Sequence, residues 1–103
     1  MSRGALAPRL SAKETLILEL LVARDEMYGL ELVAASGKQV KRGTVYVTLG
    51  RMEDKGYITS HVEAAPSAVG GLPRRMYVAT PFGRRLLAAW SKLARQFVAE
   101  FAR

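Results

Sequence analysis

The sequence contains no cysteine and only one histidine, and these absences exclude several kinds of site. Without cysteine the chain forms neither a disulfide framework nor a thiolate zinc site. His61 lies in a predicted strand with no second histidine to share a metal ion, so we expect no metal site. Acids are scarce as well, with 9 Asp and Glu against 16 Lys and Arg.

Patterns typical of catalysis are missing too. No Ser-His-Asp grouping can be assigned, and Glu53 and Asp54 are neighbours on one helix surface that do not converge. Gly70-Gly71 predicts a turn rather than a phosphate-binding loop, because no Lys-Ser pair or helix start follows. We therefore expect that the chain is not an enzyme and needs no cofactor.

The chain also lacks a long apolar run. No stretch is long enough to span a bilayer, and the first residues do not follow the order of a signal peptide. We therefore expect a soluble, cytoplasmic protein with no membrane partner. Its 103 residues, 50% of them hydrophobic, predict one small domain that buries part of its apolar surface against a second copy of itself.

The charge that is present is positive and unevenly distributed. The net charge is +7 and the pI about 10.3, which favours a polyanionic partner. Every charged residue between Glu31 and Glu53, and again between Glu63 and Glu100, is basic. Two such blocks predict one continuous positive surface built from two elements. The blocks contain Lys38, Lys41, Arg42 and Arg51, then Arg74, Arg75, Arg84, Arg85, Lys92 and Arg95.

Residues 41–57 predict a short amphipathic helix around which the rest of the chain is organised. Val45, Leu49 and Met52 fall on one apolar stripe at helical spacing. The other side carries hydroxyl and basic groups, and Gly56 stands where a helix ends in a left-handed residue. We expect a helix body over residues 43–55 whose polar face meets a nucleic-acid groove. That polar face comprises Thr44, Thr48 and Arg51, with Lys41 and Arg42 just ahead of it.

Two further helices precede it. Ser11 and Glu14 form a capping-box pattern that opens a helix running to Arg24 or Asp25, and Asp25-Glu26 predicts a short polar connection. The second helix is expected from Tyr28 to Ser36. Gly29 in its first turn either permits close packing or is merely tolerated there. Its predicted buried side is Leu30, Val33 and Ala34, with Leu32 partly covered.

After Gly56 the pattern changes to strands. Residues 57–63 alternate and are rich in β-formers, residues 64–73 predict a long turn, and residues 74–79 predict a second strand. A hairpin directly after a basic helix is typical of a wing. The predicted fold class is therefore mainly α with a small β-hairpin, a winged helix-turn-helix of order α1-α2-α3-β-wing-β-α4.

The last helix is expected to begin with Thr80 as N-cap and Pro81 as its first residue, and to run to the end. It carries more apolar surface than one small domain can cover, so we expect a homodimer through this C-terminal helix. The domain division that follows is a loose arm over 1–10, the winged helix-turn-helix over 11–79 and the dimerisation helix over 80–103. The predicted dimer-interface residues are Phe82, Leu86, Trp90, Leu93, Phe97 and Phe101.

These motifs together resemble the PadR family of bacterial transcriptional regulators, specifically its short members with a single C-terminal helix. Two patterns carry the resemblance, which covers roughly residues 11–87. The first is R-G-T-x-Y…L-x-R-x-E-x-x-G over residues 42–56, and the second is G-x-x-R-R-x-Y-x-x-T-x-x-G over residues 71–83. The resemblance implies a winged helix dimerised through its last helix, which represses a promoter and is often released by a small aromatic or drug-like effector.

The resemblance also assigns site residues, with some departures from the family's pattern. Lys41 replaces a frequent capping serine, and Trp90 lies about one turn nearer the helix start than in drug-binding members. Trp90 is the candidate effector contact, although a place in the dimer core is favoured. The predicted DNA-binding residues are Lys41, Arg42, Thr44, Tyr46, Thr48, Arg51, Arg74 and Arg75.

Alternatives remain open for several of these residues. Tyr46 either contacts DNA or packs within the domain, and Arg51 either contacts DNA or pairs with a nearby acid. Arg74 and Arg75 contact phosphate, discourage aggregation as strand charges, or do both. The leading hypothesis is a dimeric, DNA-binding repressor. The alternatives are a protein-interaction module without specific DNA binding, and a basic amphipathic helix that binds a membrane surface.

Overall fold

The computed structural model describes residues 9–64 and 72–101, within which the chain folds as a winged helix-turn-helix. The loose arm predicted for residues 1–10 lies outside the described residues up to residue 8, and most of the predicted turn at 64–73 does so too. In chain order the elements are α1 (Ala12–Arg24), β1 (Glu26–Tyr28), α2 (Gly29–Ala35), α3 (Val45–Asp54), β2 (Ile58–Glu63), β3 (Arg74–Ala79) and α4 (Pro81–Phe101).

The start of α1 confirms the predicted capping box. The hydroxyl of Ser11 accepts the N–H of Glu14 at 3.1 Å, and the Glu14 carboxylate accepts the N–H of Ser11 at 2.9 Å. Two donors of the first turn are thereby satisfied by side chains. The apolar face that follows buries Ile17, Leu18 and Leu21 completely.

The core lies where α1, α2 and α3 meet the sheet. Its largest fully buried side chains come from all three helices and from the strands, so each helix is fixed by contacts with the others. Leu10, at the end of the predicted arm, is also buried in this core. The fully buried set is Ile17, Leu18, Leu21, Met27, Leu32, Val40, Val45, Leu49, Met52 and Ile58.

The sheet contains one more strand than the predicted hairpin. Its order is β1-β3-β2, and both pairings are antiparallel. Residues 26–28, the first of which was expected to lie in a polar connection, pair with Met76 to Val78 as β1. Asp25 has a φ of 70°, so the chain turns sharply there from α1 into the strand. Strand β1 is the additional strand. Met27 buries its side chain in the core while the backbone of β1 pairs with β3.

The predicted buried face of α2 is wrong, because a different side of the helix faces the core. Leu32 is fully buried, whereas Leu30 is 40% exposed and Ala34 is exposed. The helix has only 7 residues and ends at Ala35, so its few apolar positions did not define which side faces inward. Gly37 has a φ of 63° directly after the C-cap Ser36, so the helix ends in a left-handed glycine.

The end of α3 and the start of α4 are joined by backbone and hydroxyl contacts. Gly56 has a φ of 81°, and the N–H groups of Gly56 and Tyr57 donate to the carbonyls of Glu53 and Met52. This pair of bonds is the Schellman motif expected at a glycine stop. The Thr80 hydroxyl donates to the Gly56 carbonyl at 2.6 Å, and it also accepts the N–H of Gly83 at 2.9 Å.

The two halves of α4 have different surroundings. Leu87 is buried, and Leu86 and Trp90 pack partly against the core, so the first half is fixed on the domain. Phe82 contacts the ring of Tyr57, with centroids 5.8 Å apart. From residue 92 to residue 100 every side chain is exposed. The helix therefore extends beyond the domain that holds it.

Candidate nucleic-acid interface

Helix α3 has one buried and one exposed side, as predicted. Val45, Leu49 and Met52 are each 0% exposed and hold the helix against the core. The helix spans Val45–Asp54, a little shorter than the predicted 43–55, and Thr44 is its N-cap. The Thr44 side chain makes no capping hydrogen bond, so its hydroxyl is available to a ligand.

The exposed side of α3 also carries an apolar residue that the sequence analysis did not single out. Val47 is 55% exposed and lies between Thr44 and Arg51 on the outward surface. At 100° per residue it stands roughly 200° from Val45 and from Leu49, which are fully buried. Helical periodicity alone could have identified it, because the residue opposite the buried stripe is the most outward one.

A concave groove runs between the start of α1 and the exposed side of α3. Lys13, on the first turn of α1, lines this groove together with Thr44, Val47, Thr48 and Arg51. A neighbouring depression brings the same lysine together with Lys38, Gln39 and Lys41. Lys13 and Lys38 therefore extend the basic surface of α3, although neither was predicted to be a site residue.

Tyr46 packs within the domain and is also exposed, while its role in DNA binding stays a prediction. Its side chain is 53% exposed, yet its ring lies on Gly29 of α2. A Cβ at position 29 would stand 2.6 Å from two ring carbons of Tyr46 and from its hydroxyl oxygen. Gly29 thus permits close packing of α2 on α3, while Tyr46 still faces solvent beside the recognition surface.

The basic residues in and just before α3 are not neutralised within the described chain. Lys41, Arg42 and Arg51 are exposed. Within residues 9–64 and 72–101 the ion pairs join Lys55 with Glu14, His61 with Glu26 and Arg84 with Asp25. Lys41, Arg42 and Arg51 therefore take part in none of them. The alternative that Arg51 pairs with a nearby acid, either Glu53 or Asp54 or a residue of the wing, is not seen among the described residues.

Arg74 and Arg75, in contrast, have partners inside the domain. Arg74 lies over the ring of Tyr28, 4.6 Å from its centroid. Arg75 donates to the hydroxyl of Ser60 at 3.1 Å, and that hydroxyl donates to the Glu53 carboxylate at 2.7 Å. Both arginines remain exposed, at a point where β3 has only β2 beside it. The wing is thereby tied to the end of α3.

A second polar contact fixes α3 against α1. The Lys55 ammonium donates to the Glu14 carboxylate at 2.8 Å, across 41 positions of sequence. Burial alone would raise the pKa of the Glu14 carboxyl, but Lys55 and the backbone N–H of Ser11 outweigh it and hold that pKa below its ordinary value. The same bond to Glu14 raises the pKa of Lys55. The pair is charged at neutral pH and sets the position of the recognition helix.

Replacing Glu14 with glutamine is expected to lower the free energy of unfolding by about 1–2 kcal/mol at neutral pH, because the amide can keep the capping bond but loses the charge. The folded-state pKa of Glu14 is depressed, so this difference is fully present above the ordinary glutamate pKa of about 4.3. It disappears as the pH falls through the folded-state pKa. Urea denaturation of both proteins, from neutral pH into the acid range, measures it.

Glu19→Gln is the matched control, since Glu19 is exposed on the same helix. It should change the stability by less than about 0.5 kcal/mol. If Glu14→Gln and Glu19→Gln gave the same small effect at every pH, the ion pair would have no structural role.

The predicted dimer residues divide into two groups. Phe82, Leu86 and Trp90 contribute to the packing of their own domain, whereas Leu93 is 58% exposed and Phe97 64% exposed. Phe101 ends α4, and its side chain lies outside the described part. Trp90, Leu93, Ala94, Phe97 and Val98 line a shallow apolar depression on the exposed half.

In residues 9–64 and 72–101, no cluster of His, Asp or Glu could hold a metal ion. Over the same ranges, every helix is too short or too polar to cross a bilayer.

Comparison with known proteins places this geometry in a family. The sequence matches the Transcriptional regulator PadR-like family over residues 17–89. The chain belongs to the PadR-like family. This confirms the resemblance and the winged-helix fold, and because the family consists of transcriptional regulators, it also confirms that the chain is not an enzyme. No curated protein matches the sequence significantly.

Solved structures show the same fold. A PadR family regulator from Clostridium difficile R20291 shares 24% identity at a TM-score of 0.70, over 90% of this chain and 100% of that one. A PadR family regulator from Eggerthella lenta is 30% identical, with a TM-score of 0.59, over 81% of this chain and 78% of that one. The transcriptional repressor CouR, bound to a 23-mer DNA duplex, is 23% identical at a TM-score of 0.64, and the match covers 88% of this chain and 56% of CouR.

Proposed function

We propose that this PadR-like regulator is a homodimeric repressor that binds a pseudo-palindromic operator, with α3 of each protomer in a major groove. One observation carries the proposal above the others. Arg51 on the exposed side of α3, and Lys41 and Arg42 just before the helix, have no ion-pair partner in the described chain. CouR, which has the same fold, is a repressor that was solved on a DNA duplex.

The distribution of the acids supports this assignment. Glu14 pairs with Lys55, Glu26 with His61, and Glu53 accepts the hydroxyl of Ser60. These carboxylates are engaged by partners within the domain, while Lys13, Lys38 and Lys41 gather beside the start of α3. Glu14 also lines the groove, but its charge is balanced by Lys55, so the surface keeps an excess of positive charge that attracts phosphate.

The contacts should divide into positioning and sequence recognition. Lys41, Arg42, Arg74 and Arg75 are assigned to phosphate, because each is exposed and none stands at the centre of α3. Thr44, Tyr46, Thr48 and Arg51 stand closer to base edges. The Thr48 hydroxyl already donates to the Thr44 carbonyl at 3.2 Å, so it can only accept. Direct recognition is therefore modest, and the wing adds recognition of DNA shape.

The dimer follows from the exposed half of α4. Leu93, Phe97 and Val98 are each more than half exposed, and they lie beyond the part of the helix that packs on its own domain. The same surface on a second protomer is the simplest cover for them. Two recognition helices would then enter successive major grooves, about one helical turn apart. The division into residues 11–79 for DNA and residues 80–103 for dimerisation belongs to this proposal.

The depression around Trp90 is assigned to the dimer rather than to an effector. It is shallow and open on one side, and its lining is almost wholly apolar. A planar aromatic effector would bind there only if two protomers left a gap between their Trp90 rings. A change in Trp90 fluorescence on adding aromatic acids or planar cations would show that such a site exists, since Trp90 is the one tryptophan in the chain.

Titration of the purified protein with promoter duplexes, including the region upstream of its own gene, tests DNA binding. Affinity for one sequence should exceed that for random duplex and fall steeply with salt. Arg42→Ala should weaken every duplex by roughly tenfold and reduce the slope of log affinity against log salt by about 1 per protomer, because it removes a phosphate contact.

Arg24→Ala is the control, because it removes the same charge at the far end of α1 and should leave both quantities nearly unchanged. Equal affinity for all duplexes at moderate salt would contradict the proposal. It would favour the alternative function, a winged-helix protein-interaction module. Repression itself is tested with a reporter gene placed downstream of the promoter that the protein binds. Expression of the reporter should rise when the gene for this chain is deleted.

A further inference from the structure

Val47 lies on the outward side of α3 and takes no part in the hydrophobic core. The groove around it is lined by polar side chains, among them Lys13, Thr44, Thr48 and Arg51. More than half of its surface is exposed. A β-branched residue is also a weaker helix former than alanine or a straight-chain residue. Neither burial nor helix propensity therefore accounts for valine at this position.

Gly50 lies beside Val47, one turn further along the same outward surface. A Cβ at Gly50 would meet nothing within 4 Å, and Gly50 does not have a positive φ, so the fold does not require glycine there. Glycine inside a helix is less stable than alanine by about 0.5–1 kcal/mol. Together the two residues form a low, narrow strip of backbone with one apolar side chain standing on it.

Such a strip fits a surface that approaches the helix backbone closely and offers an apolar group to Val47. In the major groove of DNA, hydrogen-bonding groups cover the base edges, and the apolar group is the C5-methyl of thymine. Apolar side chains contact that methyl directly. Arg51, four residues further on, is placed to bind a guanine nearby.

We propose that Val47 is a specificity-determining residue that packs on a pyrimidine C5-methyl group in the major groove, with Gly50 allowing the close approach. This inference rests on the proposed DNA-binding function. The methyl group can come from thymine or from 5-methylcytosine, which presents the same group at the same ring position.

The test begins with selection of bound sequences from a random duplex library by the wild-type chain. Each thymine of the selected duplex is then replaced singly by deoxyuridine, which removes only the methyl group. Wild-type binding should weaken about fourfold at one thymine in each half-site, the scale of one buried methylene. Val47→Ala should bind the thymine and deoxyuridine duplexes equally at that position. Alanine favours the helix, so this variant should fold normally.

A methylation arm separates the two sources of the methyl group. If thymine is the natural ligand, cytosine at the critical position weakens binding, and 5-methylation of that cytosine restores part of it for the wild type but not for Val47→Ala. If 5-methylcytosine is the ligand, the selected position is cytosine, and methylating it strengthens wild-type binding alone. Val62→Ala, the same truncation at a residue of equal exposure on β2, should leave the response to methyl groups unchanged.

Two results would overturn the inference while leaving the proposed function intact. In the first, removing any single methyl group from the selected site leaves the affinity of the wild type unchanged. In the second, removing a methyl group weakens binding by the wild type and by Val47→Ala equally at every position. A selection that returns no preferred sequence would instead remove the proposed function, and this inference with it.

Discussion

Replacing Gly83 with alanine is expected to destabilise the protein by about 3 kcal/mol or more. A Cβ at this position would collide with the carbonyl oxygen of Tyr57, a backbone atom that cannot rotate away. Overpacking of this kind costs about 1–3 kcal/mol where side chains can adjust, and more where they cannot. The same carbonyl accepts the N–H of Thr80 at 3.0 Å, so relief of the collision would loosen the junction of α3 and α4. Thermal unfolding should show a midpoint lowered by about 10–20 °C.

Gly50→Ala is the matched control, because it makes the same change in a helix where the added Cβ meets nothing within 4 Å. It should raise the stability by up to about 1 kcal/mol, the opposite sign. Both variants should be compared with the wild type at one fixed protein concentration, since the proposed dimerisation would contribute to the measured stability. A Gly83→Ala variant as stable as the wild type would show that this close approach does not constrain the fold.

The features that could be predicted from the sequence are those encoded within a few residues. The capping box at Ser11, the stripe of Val45, Leu49 and Met52, and the left-handed Gly56 are set by neighbours one helical turn away. The bounds of β3 were predicted to the residue, because proline and glycine precede the strand and a helix cap follows it. Local chemistry of this kind was sufficient to identify the winged helix.

The features that could not be predicted depend on contacts across the chain. Residues 26–28 are too few to show an alternating pattern, and they become a strand only by pairing with β3. Helix α2 is too short for its few apolar positions to define the buried side, which is why Leu30, predicted to be buried, is exposed and Leu32, predicted to be partly covered, is fully buried. The pairing of Lys55 with Glu14 joins residues that no local motif connects.

The predicted DNA-binding residues were charged or hydroxyl-bearing, together with Tyr46. Val47 was not among them, although it lies opposite the buried stripe of α3 and is exposed. The partners of Arg74 and Arg75 depend on where Tyr28 and Ser60 lie in the sheet, which the sequence does not specify. Their predicted roles in DNA binding stay predictions, now with a structural role beside them.

The other large effect concerns the exposed half of α4. Replacing Leu93 with aspartate should convert the dimer to a monomer, because a charge would be buried without a partner in the interface of two such helices. Leu93 is 58% exposed in the single protomer, so its replacement leaves the winged-helix core intact. Sedimentation analysis at micromolar concentration measures the mass of the particle, and circular dichroism shows whether the helices persist.

Loss of the dimer should weaken DNA binding even though each DNA-binding surface is unchanged, because the two recognition helices are no longer linked. Two linked recognition helices bind adjacent half-sites with an effective concentration in the millimolar range, which strengthens binding by roughly 10²–10⁴-fold over one head. Leu93→Asp should lose this factor on a duplex with two half-sites, yet bind a single half-site almost as tightly as one DNA-binding domain of the wild type does.

Ala88→Asp is the control. It adds the same charge to α4 roughly 140° around the helix, at an exposed residue, and should stay dimeric. A wild-type protein that is monomeric at micromolar concentration, or a Leu93→Asp variant that stays dimeric, would contradict pairing through α4. The distance between the two recognition helices would then have to be set by the DNA itself, and the requirement for paired half-sites would be lost.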